Sequence, residues 1–284
     1  MSPLCRIAGV QRLEVYSPNH IAHDTAIIQA VATNLQAFGY EVKMYNEDAL
    51  IRGEVSEKYI FNMVRSEEAI AKLKEIEQLG VVAVNSGFGI ENCSRERMTS
   101  LLLQNGVPFP DSVVLQLDHS FPSHLSMPCW VKRSDHHAIF QDDVSYVSNS
   151  KELNRVLDYL LQRGIQRVVI SNHLTGDLIK FYGVAGTNFF YWFYPYNNHS
   201  KFGLERINGV PQKFVFSIEE LKKICSKAAA VLRLVVFGGD AIIAADGSIH
   251  LIDFNDWPSF APCRVEGAKA ITEAIIQRIE RTEI

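Results

Sequence analysis

The stretch "VVFGGDAIIAADGSIHLIDFNDWPSF" (Val235 to Phe260) decides how this chain is read. Two apolar runs flank Asp246-Gly247, a dipeptide that favours a tight turn between antiparallel strands. A two-residue turn there sets Asp240 opposite Asp253 on one side of the hairpin. Strict alternation puts Leu251 and Asn255 on that side too, with Ile252 and Phe254 on the other. Opposed residues have Cβ atoms roughly 4.5–5.5 Å apart, so the two carboxylates repel unless a cation joins them. Asp240, Asp253 and Asn255 form a compact all-oxygen set, which suits Mg2+ or Mn2+ and not zinc. Mg2+ held by few protein ligands commonly meets nucleotide phosphates as well. Phosphates need cations, and Lys132 in "CWVKRS" and Lys180 in "DLIKFYGV" lie on strand-like runs whose pattern turns them inward.

The 284 residues, 47% of them hydrophobic, suffice for one large domain or two to three small ones. A net charge of −4 without long runs of one sign argues against nucleic-acid or polybasic membrane binding, and leaves room for a local basic pocket. No apolar run approaches a membrane span, and the N-terminus lacks a signal-peptide pattern. The five cysteines are scattered and form no CxxC pair, as expected of reduced thiols in a cytoplasmic protein. The partner expected is a small molecule, neutral or anionic, and oligomeric state is left open.

Over the first hundred residues, strand-like "RLEVYSP", "YEVKMYN", "YIFNMV" and "VVAVNS" alternate with helical "HDTAIIQAVATNLQAFG" and "SEEAIAKLKEIEQLG". Such alternation predicts βαβ units around a mostly parallel sheet, a Rossmann-like α/β domain over residues 1–93. Ligands gather at the carboxyl ends of parallel strands, which here carry His20, His23, Asp24, Arg65, Ser66, Asn85 and Ser86. Arg65 reads as an anion site, the two histidines as substrate contacts or surface residues, and Asp24 and Ser66 as helix caps. "SGFG" matches neither phosphate-loop pattern and carries little.

From residue 94 on, helices "SRERMTSLLLQNG", "SKELNRVLDYLLQRG" and "SIEELKKICSKAAAVLRL" alternate with the strands "VVLQL", "CWVKRS", "QRVVISNHL", "DLIKFYGVAG" and "NFFYWFYP". "HHAIF" is the suggested hairpin partner of "CWVKRS", Ser150 the cap of the second helix, and Ser217 with Glu220 a capping box. A last helix is expected from about Val265 to Arg281. Antiparallel strands with interspersed helices make this part α+β, in lobes of about 110–170 and 171–284.

The order "SRERMTSLLLQNGVPFPDS", "CWVKRSD", "RVVISNHLTGDLIKFYGV" and "GGDAII…HLIDFNDWPSF" resembles the ATP-grasp superfamily, with residues 1–93 similar to the domain that usually precedes that module. The resemblance implies ATP and Mg2+ as cofactors. It places Lys132, with Lys180 and Arg95 or Arg97, on the nucleotide phosphates. The segment Ser171, Asn172, His173 and Leu174 becomes the hinge against adenine, and Asp177 the nearest ribose partner. The loop after Lys132 is usually glycine-rich; here "RSDHHAIFQDD" has no glycine and offers His136 and His137 instead. Arg264 is the candidate for steadying the acceptor or an acyl phosphate. Lys201 and Arg206, in the polar stretch 197–210, could draw in an anionic acceptor. The reaction implied is activation of a carboxylate as an acyl phosphate for attack by an amine or thiol. Alternatives are a small-molecule kinase, because aromatic-proline after the D-x-N resembles inositol-phosphate kinases, and a non-catalytic nucleotide-binding module.

Overall fold

A computed structural model describes residues 5–17, 21–117, 126–134, 141–195 and 204–283. Its first part is a parallel sheet in the order β2-β1-β3-β4, built from β1 (Arg6–Gln11), β2 (Glu41–Asn46), β3 (Tyr59–Asn62) and β4 (Val82–Val84). Helices α1 (Ile21–Ala37), α2 (Glu47–Ile51), α3 (Glu67–Gln78) and α4 (Gly87–Asn92) connect the strands. The first strand is "RIAGVQ" and not "RLEVYSP", where Glu14–Tyr16 form a short 3-10 turn. Flanked by β2 and β3, β1 buries four successive residues, Ile7 to Val10, so it shows no period-two alternation.

The second part is an antiparallel sheet in the order β5-β8-β6-β7. After α5 (Arg95–Gln104) come β5 (Ser112–Gln116), β6 (Cys129–Arg133) and β7 (Val144–Val147), then α6 (Ser150–Gln162) and β8 (Arg167–Asn172). Helix α6 covers one face through Leu153 and Leu160, against Cys129, Val131 and Val147. Trp130 and Lys132 alternate with Cys129 and Val131 and so stand on the other face. The partner of β6 is β7; "HHAIF" lies outside the described residues. The cap of α6 is Asn149, not Ser150, and accepts from the Glu152 N–H.

The third part is an antiparallel sheet in the order β10-β9-β11-β12, formed by β9 (Asp177–Val184), β10 (Phe190–Phe193), β11 (Val236–Ile243) and β12 (Ile249–Asp256). Helix α7 (Ile218–Leu232), capped by Ser217, packs with α5 on one face through Leu221, Ile224, Met98 and Leu102. The last helix, α8 (Arg264–Glu283), returns to the first part. Its Ile271, Ala274 and Ile275 join Ile27, Ile28 and Val31 of α1 in one core. Trp257 and Phe260 are buried in that core as well, so the aromatic-proline tail of the D-x-N strand serves packing.

Asn85, at the end of β4, stitches the first part to the third. Its amide donates to Val236 O at 2.7 Å and accepts from the N–H groups of Val235 and Val236, each at 2.8 Å. It is fully buried, so its role is structural and it is not a ligand contact at a strand end.

Candidate active site

The hairpin pairs Asp240 with Asp253, yet by another route than a two-residue turn. Ala244 and Ser248 close the turn through a 2.9 Å hydrogen bond, leaving three residues at its tip, and Gly247 supplies the positive φ of 82°. That turn alone sets the pairs Ile243–Ile249 and Ala241–Leu251, one residue out of step with Asp240–Asp253. A β-bulge at Ile252 takes up the extra residue. Leu251 and Phe254 both face the α7 core, while Asp253 and Asn255 are half-exposed on the opposite face. Leu251 therefore does not share the side of Asp253, because the bulge breaks the alternation. A side chain at Gly239 would collide with the Asp253 carbonyl, which lies against it.

Strand β9 adds the third member of the row. Lys180 pairs with Asp240, and its ammonium lies 2.7 Å from Asp240 Oδ1. Lys180, Asp240 and Asp253 thus run straight across three strands. From the second sheet, Lys132 Nζ reaches over and donates to Ile252 O at 3.1 Å. Arg95, at the start of α5 and buried, holds Nη2 3.9 Å from Asp253 Oδ2. Burial, and then the neighbouring Arg95 charge, push the Lys132 ammonium down to about 8, against the pull of Asp253 and Asp240.

Two carboxylates and an amide oxygen on one sheet face, from β11 and β12 and beside two lysines, fit a hard divalent cation that keeps other ligands from water or phosphate. Asp240, Asp253 and Asn255 would hold it. Among the described residues no group of three or more His, Cys, Asp or Glu gathers as a metal cluster.

The remaining candidates separate. Arg97, half-exposed, pairs with Glu91. The hinge residues sit at the end of β8: Ser171 is buried on Ser112, and Asn172 accepts from the Ser126 N–H. His173 Nδ1 lies 3.1 Å from Trp130 Nε1. Tyr146 meets both rings edge-on, and burial lowers the His173 pKa. This aromatic group shares the Lys132 face of β6. The period-two alternation that turns Lys132 inward turns Trp130 inward as well. Leu174 offers its carbonyl to Asn208. Asp177 is a correction: its two oxygens take the N–H groups of Gln212 and Phe214, at 2.7 and 2.9 Å, so this buried carboxylate anchors that segment.

At the first sheet, Arg65 Nη1 lies 2.8 Å from Asp256 Oδ1, the residue after Asn255. Glu47, which no motif marked, is fully buried. It accepts from the N–H groups of Leu13, Arg65 and Ser66 and from the Ser66 hydroxyl, fixing the ends of β1 and β3. Ser66 caps α3, but Asp24 does not cap α1; it pairs with Arg12 at 2.9 Å. Arg264 Nη2 stands 3.2 Å from His23 Nδ1, in this part and not against Lys132. Arg206 is exposed on a short 3-10 turn. His20, His136, His137 and Lys201 lie outside the described residues.

The chain has the ATP-grasp fold. It superimposes on D-alanine–D-alanine ligase from Bacillus anthracis complexed with ATP, with a TM-score of 0.68 and 16% identity over 98% of this chain and 99% of that one. A second structure of that ligase gives a TM-score of 0.68 at 15% identity, covering 98% and 97% of the two chains. A RimK domain ATP-grasp protein from Sphaerobacter thermophilus gives 0.65 at 13% identity, over 95% and 99%. No protein-family model and no curated protein matches the sequence. Among the described residues no helix is long and apolar enough to cross a membrane.

Proposed function

We propose that this chain is an ATP-dependent ligase that activates a small-molecule carboxylate as an acyl phosphate. One observation carries the reading: the Lys180–Asp240–Asp253 row of one sheet faces Lys132 of the other, within a fold shared with a ligase complexed with ATP. Trp130, two residues from Lys132 on the same face, would carry the adenine with Tyr146 and His173, and Lys132 the phosphates. Lys180 holds Asp240 in place, and Arg95 offsets charge behind Asp253. A divalent cation on Asp240, Asp253 and Asn255 would offset the charge of the phosphate oxygens and so ease the approach of an anionic carboxylate.

A substrate carboxylate oxygen attacks the terminal phosphorus, and ADP departs. An amine or thiol then attacks the acyl carbon, phosphate leaves with the bonding pair, and the nucleophile loses its proton. Such chemistry needs positioning and charge neutralisation, not a covalent protein nucleophile. The buried aromatic-proline tail serves packing and favours neither ligase nor kinase; the ligase reading is preferred because the similar structures are ligases. Turnover of ATP across a panel of carboxylic acids, with hydroxylamine as the trap, tests the reading. Hydroxamate formation that depends on Lys132 and Asp253 is expected; ADP formation yielding a stable phosphorylated alcohol would overturn it.

A further inference from the structure

Strand pairing orders the site face of the third sheet into rows. Leu178, Ile242 and His250 stand opposite one another nearest the hinge, then Lys180, Asp240 and Asp253, then Tyr182, Gly238 and Asn255. Beyond them Val184 pairs with Val236, which Asn85 ties to the first part. Rows two residues apart are separated by roughly 6–7 Å. A nucleotide with its base at the hinge and its phosphates on Lys132 and the middle row therefore aims its terminal phosphorus at the Tyr182 row. The acid that attacks this phosphorus lies over that row.

Strand β10 extends both rows with aromatic rings, since Phe193 pairs with Lys180 and Tyr191 with Tyr182. Tyr182 and Tyr191 stack at 6.4 Å and 12°, and Phe193 meets them at 6.0 and 5.8 Å. All three keep part of their surface exposed. Phe260, itself buried in the core of the first part, backs Tyr182 at 5.1 Å and so fixes the ring. A Cβ at Gly238 would come within 2.7 Å of Tyr182 Cδ1, so this glycine lets the ring lie beside Asn255, its partner in the pairing.

This wall offers no free charge. On the site face of β9 and β10, Lys180 is the one charged residue, and Asp240 holds its ammonium. A second charge on the acid would lose water there and meet carbon and phenol hydroxyls. Burial, and then Asp240, push the Tyr182 phenol up, so it stays neutral.

We infer that Tyr182, Tyr191 and Phe193 receive the body of the acid whose carboxylate reacts at the Asp240–Asp253 row, and that this body is an aromatic ring or a similarly flat apolar group. The inference rests on the ligase reading and narrows its substrate class to acids with one carboxylate beside such a group.

The test is calorimetry on the full chain with Mg2+ and a saturating non-hydrolysable ATP analogue, titrated with phenylacetate, acetate and succinate. Filling the nucleotide site first keeps these probes from binding there. Phenylacetate is expected to bind about tenfold or more tighter than either of the others, the worth of seating a phenyl ring on other rings. Tyr182→Leu and Tyr191→Leu keep apolar bulk but lose the ring, and each should cut that preference about threefold or more. Tyr182→Phe and Tyr191→Phe keep the ring and should keep the preference. Unchanged analogue affinity in each variant shows that its fold is intact, and two positions guard against a folding defect at either. The inference is overturned if acetate or succinate binds as tightly as phenylacetate, if none of the three binds, or if both leucine variants keep the full preference. Failure of the analogue to bind would instead remove the ligase reading; the same acids titrated into the free chain, wild type against the leucine variants, would then still decide the wall.

Discussion

Lys132 donates to the carbonyl of Ile252, 120 residues further along the chain and on the facing sheet, at 3.1 Å. Ile252 is the residue that the β-bulge leaves over, so its carbonyl is released from the regular ladder. One irregularity thereby sets Asp253 opposite Asp240 and offers the buried ammonium an acceptor. Without that acceptor, and with Arg95 close by, the charged form would be costlier still.

This environment makes the site pH-sensitive. Lys132 titrates at about 8 in the folded chain against an ordinary 10.5, so between those values the unfolded chain binds more protons. Stability therefore rises with pH across that window, because the strained charge is shed. Function moves the other way. Affinity for a non-hydrolysable ATP analogue is expected to fall as pH rises through about 8, and to stay flat over pH 7–9.5 in Lys132→Arg, whose guanidinium stays charged. Parallel pH profiles for the two proteins would detach Lys132 from the phosphates.

Lys180 is expected to stand in for a cation when none is bound. In Lys180→Met, Asp240 faces Asp253 without its counter-charge. The metal-free melting temperature should then drop on the order of 2 °C, as for like charges opposed in a sheet. Millimolar Mn2+ should raise the variant more than the wild type. An equal metal response in both would mean that the carboxylates do not share an ion.

The hairpin shows how much of the site was legible. Asp246-Gly247 correctly marked a turn, and the pairing of Asp240 with Asp253 was reached although the turn holds three residues and the strand carries a bulge. Those two departures cancel at Asp240 and do not cancel at Leu251. Nothing local announces a bulge, since its cause is the need of both Leu251 and Phe254 to enter the α7 core. The alternating βαβ part and the antiparallel lobes followed from periodicity, whereas β1 did not, because a strand buried on both faces has no alternation. Asp177, Asn85 and Glu47 illustrate the other limit. A polar residue at a strand end looks alike whether it meets a ligand or backbone N–H groups, and only the third dimension separates the two.

Asn85 carries a stability prediction. Asn85→Ala deprives the Val235 and Val236 N–H groups and the Val236 carbonyl of their buried partner. Urea denaturation should show a loss on the order of 3 kcal/mol or more, since unsatisfied buried groups cost about 1–3 kcal/mol each. A loss below about 1 kcal/mol would mean that water or a backbone shift replaces the amide.

The aromatic group at the hinge should report on the base. Trp130 meets Tyr146 at a centroid distance of 5.3 Å and an angle of 64°, and its indole N–H is taken by His173. An adenine settling there should quench or shift Trp130 emission. Trp130→Leu keeps the apolar bulk and loses the ring, so it should weaken ATP analogue binding by about 0.5–1.5 kcal/mol. Triphosphate alone, which has no base, should bind both proteins equally. If triphosphate suffers as much as the nucleotide, the aromatic group acts through Lys132 two residues away and does not touch the base.

The bulge itself can be separated from the register that it restores. Deleting Ile252 leaves a regular strand in which the three-residue turn alone still sets Asp253 opposite Asp240, and Leu251 opposite Ala241. Side chains keep their faces, so the fold should survive with a modest change in melting temperature. What disappears is the carbonyl that receives Lys132. With the ammonium deprived of that acceptor and the local twist relaxed, analogue binding should weaken at least tenfold at pH 7. The pH above which binding fails should also move below the wild-type value of about 8, because the charged form has lost a stabilising partner. Retention of both affinity and pH profile would reduce the bulge to a means of packing Leu251 and Phe254. A loss of affinity with an unchanged pH profile would instead trace the defect to the carboxylate pair and not to Lys132.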